Sequence, residues 1–366
     1  MRVRQARACV RGYRVERAAL CVPRRYAQGM NDVQKSVAGL PIEEHGSGPL
    51  VVVTRAVPGR VEVPGASVRR VTAMRALPRA DLLKVVRGAA VVVTWVSERV
   101  DAEFLDACGA ELKCVCNFAV GYDNIDLAAC KARGVVVTNT PHAVTEGTAN
   151  MAWALLLAVA RRVAEGDRYV RSGRFGVEGP LAPAEFLGTD ITGRNLLIVG
   201  PGRIGYATAL RGIGFGMRVL YTARQRHHEF EMAPLCARRV ELEAGIREAD
   251  VISIHTPLTS ETRGLFSAAR IAMMRPHAIL INTARGPIVD EGALVEALVE
   301  RRIWGAGLDV FEKEPQVHPG LLKLDNCVLM PHVGSGEKKY RNLMAEMVWA
   351  NARAVLAGTE PPNRVG

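Results

Sequence analysis

The sequence lacks long apolar runs and paired cysteine motifs. It also lacks an acidic residue after the predicted strand at residues 217–222. No hydrophobic stretch approaches the roughly 20 residues of a membrane-spanning helix. The eight cysteines are scattered and none forms a C-x-x-C pair, which disfavours zinc ribbons and thioredoxin-like chemistry. Cys114 and Cys116 alternate along an apparent strand, as small buried thiols do. We therefore expect no membrane association, no metal site and a location in the reducing cytoplasm.

Stacking aromatic residues are not interleaved with the basic ones, as they are in proteins that bind single-stranded nucleic acid. The net charge is +11, but residues 1–29 hold eight Arg and one Glu and so carry seven of these charges. The other 337 residues carry only four. A nucleic-acid partner is therefore not expected.

Residues 1–48 are predicted to form a disordered N-terminal extension, because they are rich in Arg, poor in acids and without clear periodicity. An organellar transit peptide, or a working start at Met30, are alternatives. From residue 48 onward, strands of β-branched residues alternate with helical stretches, which indicates parallel α/β sheets. The chain length suits two domains. Strands are predicted within residues 48–59, 82–95, 111–126, 133–141, 195–200, 217–222, 250–256, 278–284 and 305–310.

A glycine-rich turn lies between a predicted strand and a predicted helix. In "LLIVGPGRIGYATA", Gly200, Gly202 and Gly205 have G-x-G-x-x-G spacing, and a second strand follows. The first glycine permits a tight turn, the second admits a pyrophosphate, and the third lets helix and strand pack closely. We therefore predict that residues Gly200, Pro201, Gly202, Arg203, Ile204 and Gly205 bind a dinucleotide at the helix N-terminus.

The second strand of this unit ends in Thr222, Ala223, Arg224, Gln225 and Arg226, with no carboxylate. An NAD site usually has an acid here, which accepts hydrogen bonds from the ribose and would repel a 2′-phosphate. Because Arg224 and Arg226 can pair with that phosphate, and Ala223 and Gln225 share the loop, we predict NADPH as the cofactor. NADH remains possible, since these arginines can also be solvated loop residues.

Three later stretches each carry a polar residue after a strand: "LINTARGPIVDEGAL", "GAGLDVFEKEP" and "VLMPHVGSG". Together with "FAVGYDNID" and "GPGRIG", they closely resemble the D-isomer-specific 2-hydroxyacid dehydrogenase family, and within it the glyoxylate/hydroxypyruvate reductases. The resemblance runs from about residue 50 to the C-terminus. It implies two Rossmann-like, doubly wound parallel-sheet domains with a cleft between them. The substrate-binding domain comprises residues 49–145 and 332–366, and the NAD(P)-binding domain comprises residues 146–331.

The resemblance also implies the roles of the site residues. Arg285 binds the substrate carboxylate and carbonyl, His332 is the acid/base, and Glu314, rather than the nearby Glu312, is its partner. These roles suit reduction of a 2-oxo acid, because imidazole titrates near neutrality and a carboxylate stabilises its protonated form. Further contacts carried over from the family are, for the substrate, Val120 and Gly121, and for the cofactor, Pro257, Thr283, Ala284, Asp309 and Gly334.

The expected reaction is reduction of a small 2-oxo acid, glyoxylate or hydroxypyruvate, by a homodimer. Residues 151–163 are a candidate contact helix or, equally, core. Alternatives are a dehydrogenase for phosphoglycerate or a longer 2-oxo acid, and a non-catalytic corepressor that senses dinucleotides. Two departures stand out. Leu181 occupies a position where close reductases tend to have Trp, and Gly336 and Glu337 replace the usual small residues.

Overall fold

The computed structural model describes residues 39–59 and 63–365, which contain two seven-stranded sheets. The first sheet has the strand order β1-β3-β2-β4-β5-β6-β14. Its strands are β1 (Ile42–His45), β2 (Leu50–Val53), β3 (Ser67–Val71), β4 (Val91–Thr94), β5 (Cys114–Asn117), β6 (Val136–Thr138) and β14 (Arg364–Val365). The five inner strands are parallel, whereas β1 and β14 pair antiparallel at the two edges.

The second sheet is parallel throughout and has the order β13-β12-β11-β10-β7-β8-β9. Its strands are β7 (Asn195–Val199), β8 (Arg218–Thr222), β9 (Arg238–Arg239), β10 (Val251–Ile254), β11 (Ile279–Asn282), β12 (Gly305–Leu308) and β13 (Cys327–Leu329). The chain runs outward from β7 in both directions, so the strand order reverses between β7 and β10. Ligands of such sheets bind at this reversal, outside the carboxyl ends of the strands.

Helices cover both faces of the sheets, as the crossovers between parallel strands require. They are α1 (Arg79–Val85), α2 (Ala102–Cys108), α3 (Leu127–Ala132), α4 (Thr145–Ala160), α5 (Val163–Arg171), α6 (Arg174–Glu178), α7 (Arg203–Gly214), α8 (His228–Glu231), α9 (Leu242–Glu248), α10 (Ala268–Ile271), α11 (Glu291–Val299) and α12 (Lys338–Leu356). Short 3₁₀ turns lie at Gly286–Ile288 and Leu321–Lys323. The predicted α/β fold with two doubly wound sheets is confirmed, with antiparallel edges on the first sheet.

The chain passes between the sheets twice, and the helix after each passage packs on the sheet that the chain has reached. α4 packs on β11, β12 and α7, and its apolar face belongs to the core of the second sheet. Of the two interpretations of residues 151–163, core packing therefore applies to most of this helix. α12 packs on β5 of the first sheet. The chain thus changes sheets before α4 and again before α12, and the domain boundaries at residues 145/146 and 331/332 stay predictions.

Side chains of the first sheet alternate between two apolar layers, as a pleated strand requires. Val52, Val92 and Val115 face the layer that includes α1 and α2. Cys114 and Cys116 face the other layer, which α12 covers. Both thiols are fully buried, and their sulfurs lie 3.6 Å apart. The prediction that they are small buried core residues is confirmed.

The predicted N-terminal boundary at residue 48 is wrong for its last residues, because Ile42–His45 form β1 and pair with β3. The polar alternation of "IEEH" hid this edge strand, since one of its faces is solvated. The rest of the predicted extension, residues 1–38, lies outside the described residues. Within the described ranges, no helix is long and apolar enough to cross a membrane.

A buried carboxylate ties together the ends of three strands on the side of the second sheet away from the carboxyl edge. Asp250, 5% exposed, precedes β10. It accepts hydrogen bonds from the backbone N–H of Asn195 at 2.8 Å, from His277 Nε2 at 2.5 Å and from Arg275 Nη1 at 3.2 Å, and Arg194 lies 3.8 Å away. Burial raises the pKa of Asp250, but these hydrogen bonds outweigh burial and hold the pKa below its ordinary value of 3.8.

Replacing this carboxylate should destabilise the fold in a pH-dependent way. We expect Asp250→Asn to lower the free energy of unfolding by about 2 kcal/mol at neutral pH, because hydrogen bonds to a charged group are lost. A depressed native pKa means that the contribution is fully present above the ordinary Asp value and is lost as the pH falls through the native pKa. In urea titrations, the difference from the unmodified protein should therefore shrink below about pH 4. The control Asp167→Asn, in an exposed pair with Arg171, should change stability by less than about 0.5 kcal/mol. Equal stability of the protein and Asp250→Asn at neutral pH would contradict this.

Candidate active site

The glycine turn joins the end of β7 to the start of α7, and each glycine has its own structural reason. Gly200 has a φ of +97°, and a Cβ there would lie 2.8 Å from the backbone of His255. A Cβ at Gly205 would lie 2.4 Å from the carbonyl oxygen of Gly200, so only glycine lets α7 start this close to the strand. A Cβ at Gly202 would meet no atom within 4 Å. Gly202 therefore borders open space at the helix N-terminus.

The first turn of α7 fits a phosphate group. Gly202 is the N-cap residue of α7 and offers no side chain to accept hydrogen bonds from the first turn. The first turn also carries no acidic residue. Its backbone N–H groups and the positive end of the helix dipole therefore face the open space without a negative partner. Pro201 is buried, Arg203 is exposed and Ile204 packs against the core of the first sheet. The predicted turn thus lies where the two sheets meet, and its residues fit the pyrophosphate of a dinucleotide.

The loop after β8 lies next to this turn and is predicted to hold the ribose end of the cofactor. Ala223 is half-buried, and Arg224 and Gln225 are exposed. The guanidinium of Arg224 makes no hydrogen bond or ion pair with any part of the chain that the structure describes. Arg226 Nε, in contrast, donates to Glu231 Oε2 at 2.5 Å, so its charge is already neutralised.

The remaining predicted cofactor residues follow the neighbouring strands β10 and β11. Pro257 comes after β10, where its carbonyl oxygen accepts a hydrogen bond from Thr262 Oγ1 at 2.7 Å. Thr283 follows β11, and its hydroxyl oxygen is buried without a partner among the described residues. Such an unpaired buried hydroxyl is costly unless a ligand satisfies it. Ala284 is fixed by its N–H, which donates to Asn282 Oδ1 at 3.0 Å.

Arg285 lies directly over the loop of Val120 and Gly121, which follows β5 of the first sheet. Its Nη2 would be only 1.8 Å from a Cβ placed on Gly121. Its Nε donates to Asp123 Oδ1 at 2.8 Å, and its Nη1 donates to the carbonyl oxygen of Ala284 at 2.8 Å. Asp123 therefore aims the guanidinium across the cleft between the sheets.

The carbonyl groups of this loop point inward, and its N–H groups are left for a ligand. Val120 accepts from Asn139 Nδ2 at 2.8 Å, and Gly121 accepts from Asn117 Nδ2 at 2.7 Å. The N–H groups of Val120 and Gly121 donate to none of the described residues. Free N–H groups beside a guanidinium suit a carboxylate, and substrate binding by Val120 and Gly121 stays a prediction.

Glu314 and His332 form the hydrogen-bonded pair that the family resemblance implies. Glu314 Oε2 lies 2.8 Å from His332 Nδ1, and Glu314 Oε1 accepts from the backbone N–H of Phe311 at 3.0 Å. Glu312 is placed differently, with its own N–H donating to Glu291 Oε1. Burial raises the pKa of Glu314, but the hydrogen bond and charge of His332, the Phe311 N–H and the charge of Arg285 together lower the pKa below 4.5. Glu314 is therefore ionised at neutral pH. Gly286, the residue after Arg285, packs against the backbone of Phe311 and Glu312, which brings the Arg285 segment to the pair.

Asp309 holds the loop that carries His332. Asp309 is 1% exposed, and its carboxylate accepts hydrogen bonds from the N–H groups of Val333 at 2.8 Å and Gly334 at 2.7 Å. A Cβ at Gly334 would lie 2.9 Å from Asp309 Oδ2, so glycine is needed for this approach. His332 itself has a φ of +54°. The cofactor contacts of Asp309 and Gly334 stay predictions, whereas their structural role is to fix the histidine loop.

The structure gives Gly336 and Glu337 defined roles, whereas Leu181 is largely exposed. Gly336 closes a tight turn, where a Cβ would lie 2.7 Å from the carbonyl oxygen of Val333. Glu337 Oε1 accepts from Asn150 Nδ2 at 2.9 Å, which joins the start of α12 to α4. Leu181 is 41% exposed in the segment after α6.

Sequence reasoning missed several residues that shape the site. Asp123 lies inside the motif "GYDNID", and an acid two residues after a glycine turn could have suggested a partner for a cation. The guanidinium of Arg341 stacks 4.6 Å from the centre of the Trp95 ring, just beyond β4. Arg239 of β9 donates to the carbonyl oxygens of Ala223 and Arg224. No local pattern reveals the last two, because both contacts depend on neighbouring strands or helices.

Comparison with known proteins agrees with this geometry. A family model for the D-isomer specific 2-hydroxyacid dehydrogenase NAD binding domain matches residues 153–334. A glyoxylate reductase of Thermococcus onnurineus is 49% identical over 290 residues, which are 79% of this chain and 86% of that protein. The chain belongs to the D-isomer-specific 2-hydroxyacid dehydrogenase family. The family predicted from the motifs is thereby confirmed.

Solved structures of similar proteins support the same family. A Thermus thermophilus protein is 45% identical with a TM-score of 0.80, covering 87% of this chain and 100% of its own. The NADPH-dependent glyoxylate/hydroxypyruvate reductase of Sinorhizobium meliloti, solved with NADP and malonate, is 33% identical with a TM-score of 0.76, covering 87% and 97%. The cofactor of this dehydrogenase is accordingly a nicotinamide dinucleotide.

The close contact between Gly121 and Arg285 allows the predicted carboxylate site to be tested without a loss of fold. In Gly121→Ala, the new methyl group must displace the end of a flexible side chain, so thermal unfolding should stay within about 2 °C of the unmodified protein. Affinity for malonate in the presence of cofactor should fall about tenfold, since a charge-assisted hydrogen bond is misplaced. Calorimetric titration measures this. Gly214→Ala, where a Cβ meets no atom within 4 Å, is the control and should bind malonate normally. Unchanged malonate binding by Gly121→Ala would show that Arg285 does not hold the carboxylate.

Proposed function

We propose that this dehydrogenase reduces a small 2-oxo acid, glyoxylate or hydroxypyruvate, to the 2-hydroxy acid. The observation that carries the proposal is the hydrogen-bonded Glu314–His332 pair, whose donor and acceptor lie 2.8 Å apart, together with Arg285, whose neighbour Gly286 packs directly against the backbone of Phe311 and Glu312. The relatives called glyoxylate reductase support it, because they match four fifths of the chain at up to 49% identity. A site of this kind offers an anion-binding group and a proton donor side by side.

Each residue has a distinct part in the proposed reaction. Arg285 and the free N–H groups of Val120 and Gly121 bind the substrate carboxylate. The bound nicotinamide supplies the hydride for the carbonyl carbon. His332 Nδ1 is held by Glu314, so Nε2 is the atom that donates a proton to the carbonyl oxygen. The ionised Glu314 stabilises the protonated imidazolium before this transfer, and the guanidinium offsets charge that develops on the oxygen.

The preferred cofactor in this proposal is NADPH. No carboxylate ends β8, and the guanidinium of Arg224 is exposed and unpaired within the described residues. The Sinorhizobium meliloti relative was solved with NADP, which supports the same preference. Because a 2′-phosphate needs positive charge and the absence of an acid, the loop after β8 suits NADPH better than NADH.

A substrate panel with both cofactors tests the proposal. We expect glyoxylate and hydroxypyruvate to be reduced faster than pyruvate and longer 2-oxo acids, and kcat/KM to be higher with NADPH than with NADH. His332→Asn should lower kcat by a factor of about 100 to 10,000, because it removes the proton donor, and should leave cofactor affinity intact. His45→Asn, on the distant strand β1, is the matched control. Binding of the dinucleotide without turnover of any 2-oxo acid would instead favour a dinucleotide sensor.

A homodimer is the assembly that we propose. The short helices α5 and α6 bury none of their residues within the chain. They and the following segment expose Val170, Phe175, Val177 and Leu181, which are 41–88% accessible. Several exposed apolar residues on two adjoining helices favour an interface.

Light scattering tests the assembly. The unmodified protein should have the mass of two chains, and the double variant Val170→Asp, Val177→Asp should shift toward one chain, because two charges would be buried. Met74→Asp, at an exposed apolar residue on the first sheet's side, should stay a dimer. A single-chain mass for the unmodified protein rejects the proposal.

We also propose a cytoplasmic location. Six cysteines within the described residues are free thiols, which suits a reducing compartment. Recovery of the protein outside the cytoplasmic fraction of its cells would contradict this.

A further inference from the structure

We infer that Arg239, on strand β9, is a specificity-determining residue that forms the site of the cofactor 2′-phosphate together with Arg224. The inference rests on the proposed use of NADPH. Arg239 takes the place of Arg226, which the sequence suggests as the second phosphate-binding arginine, because Arg226 is paired with Glu231. The structural basis of the inference is that β9 lies beside β8, so that Arg239 reaches the loop that follows β8.

Arg226 is removed from the candidate set by its contacts. Its guanidinium is bonded to Glu231, whose other carboxylate oxygen accepts the hydroxyl of Tyr221 at 2.6 Å. The Glu231 side chain is 17% exposed, so the ion pair is partly shielded from solvent. The hydrogen bond from Tyr221, followed by the contact with Arg226, lowers the pKa of Glu231. Arg226 thus neutralises an acid and has little charge left for a phosphate.

Arg239 reaches the same loop from the next strand. β9 pairs parallel to β8, with Arg239 opposite Tyr221. Its Nη2 donates to the carbonyl oxygens of Ala223 at 2.9 Å and Arg224 at 3.2 Å, and its Nε donates to Ala223 at 3.3 Å. One guanidinium therefore fixes the backbone of the two residues that follow Thr222, and it brings a charge to the loop.

The charge of Arg239 is not compensated within the described part of the chain. No carboxylate forms an ion pair with it, and its Nη1 has no acceptor there. The adjacent Arg238 points to the opposite side of the two-residue strand, where its Nη2 donates to Glu248 of α9. Because successive side chains of a strand point to opposite faces, Arg238 faces α9 and Arg239 faces the loop after β8.

Two uncompensated guanidinium groups then flank the loop after β8, from Arg224 and Arg239. Glu261 senses one of these charges, because its pKa is lowered first by a hydrogen bond from Thr259 and also, to a smaller extent, by the charge of Arg224. No ion pair joins Glu261 to either arginine within the described ranges, and Glu261 is exposed to solvent. A phosphate with a charge near −2 fits this environment, whereas a bare ribose hydroxyl gains little from it.

Binding of two nucleotide probes measures the phosphate contribution without turnover. Adenosine 2′,5′-bisphosphate carries the 2′-phosphate and adenosine 5′-monophosphate lacks it, and calorimetric titration gives both dissociation constants. We expect Arg239→Ala to weaken binding of the bisphosphate about tenfold, the worth of one charge-assisted contact, and to leave the monophosphate within about twofold. Arg239→Lys keeps the charge but not the forked contact with two carbonyl groups, and should recover only part of the loss.

Arg238→Ala is the matched control, because it removes the same charge from the neighbouring position on the same strand. It should leave both dissociation constants within about twofold of the unmodified protein. If Arg238→Ala and Arg239→Ala weaken binding of the bisphosphate equally, the loss reflects only the change in net charge, and the inference is overturned. Equal weakening of both probes by Arg239→Ala would also overturn it, because the contact would then not be specific for the 2′-phosphate.

The unmodified protein separates this inference from the proposed cofactor. If it binds both probes equally, the NADPH proposal itself fails. If it prefers the bisphosphate and Arg239→Ala keeps that preference, NADPH stands and the role of Arg239 is rejected.

Discussion

The hydrogen bond between His332 and Glu314 is the contact on which the site depends. It joins the segments that follow β12 and β13, and these segments meet because the two strands are neighbours in the sheet. The bond occupies Nδ1 of the ring and leaves Nε2 without a partner in the described chain. The carboxylate of Asp309 fixes the same loop by accepting hydrogen bonds from the backbone N–H groups of Val333 and Gly334. The imidazole is therefore held directly by the carboxylate of Glu314, whereas the carboxylate of Asp309 holds the two residues that follow the histidine in the chain.

Parallel strand order explains why distant residues gather here. The carboxyl ends of β7, β10, β11 and β12 share one edge, so Gly200, Thr283, Arg285 and Asp309 lie along it. The first sheet presents its own carboxyl edge with the loop of Gly121, directly against the Arg285 guanidinium. A cleft between two such edges has backbone N–H groups and loops on both sides, which suits a long cofactor beside a small anion.

Much of this arrangement could be predicted from the sequence, because the signals are local. β-branched runs mark the inner strands, and the glycine spacing before α7 marks a phosphate turn. The edge strand β1 was missed because its polar residues alternate like a surface segment. The pairing of Arg226 with Glu231 lies five residues along the chain, yet sequence spacing cannot show which acid an arginine chooses. The roles of Asp309 and Glu337 are harder still, since both bond to elements that are distant in sequence.

The proposed cofactor selectivity depends on where the charges near the loop after β8 lie, and not only on their number. The sequence shows two arginines and no acid after β8, which suggests a double positive charge for a phosphate. In the fold, one of these charges is cancelled by Glu231, and another enters from β9. The sum is the same, but the second charge now depends on a two-residue strand at the edge of the sheet. Since β9 pairs with β8 over only two residues, this pairing sets the position of the charge at the proposed ribose end.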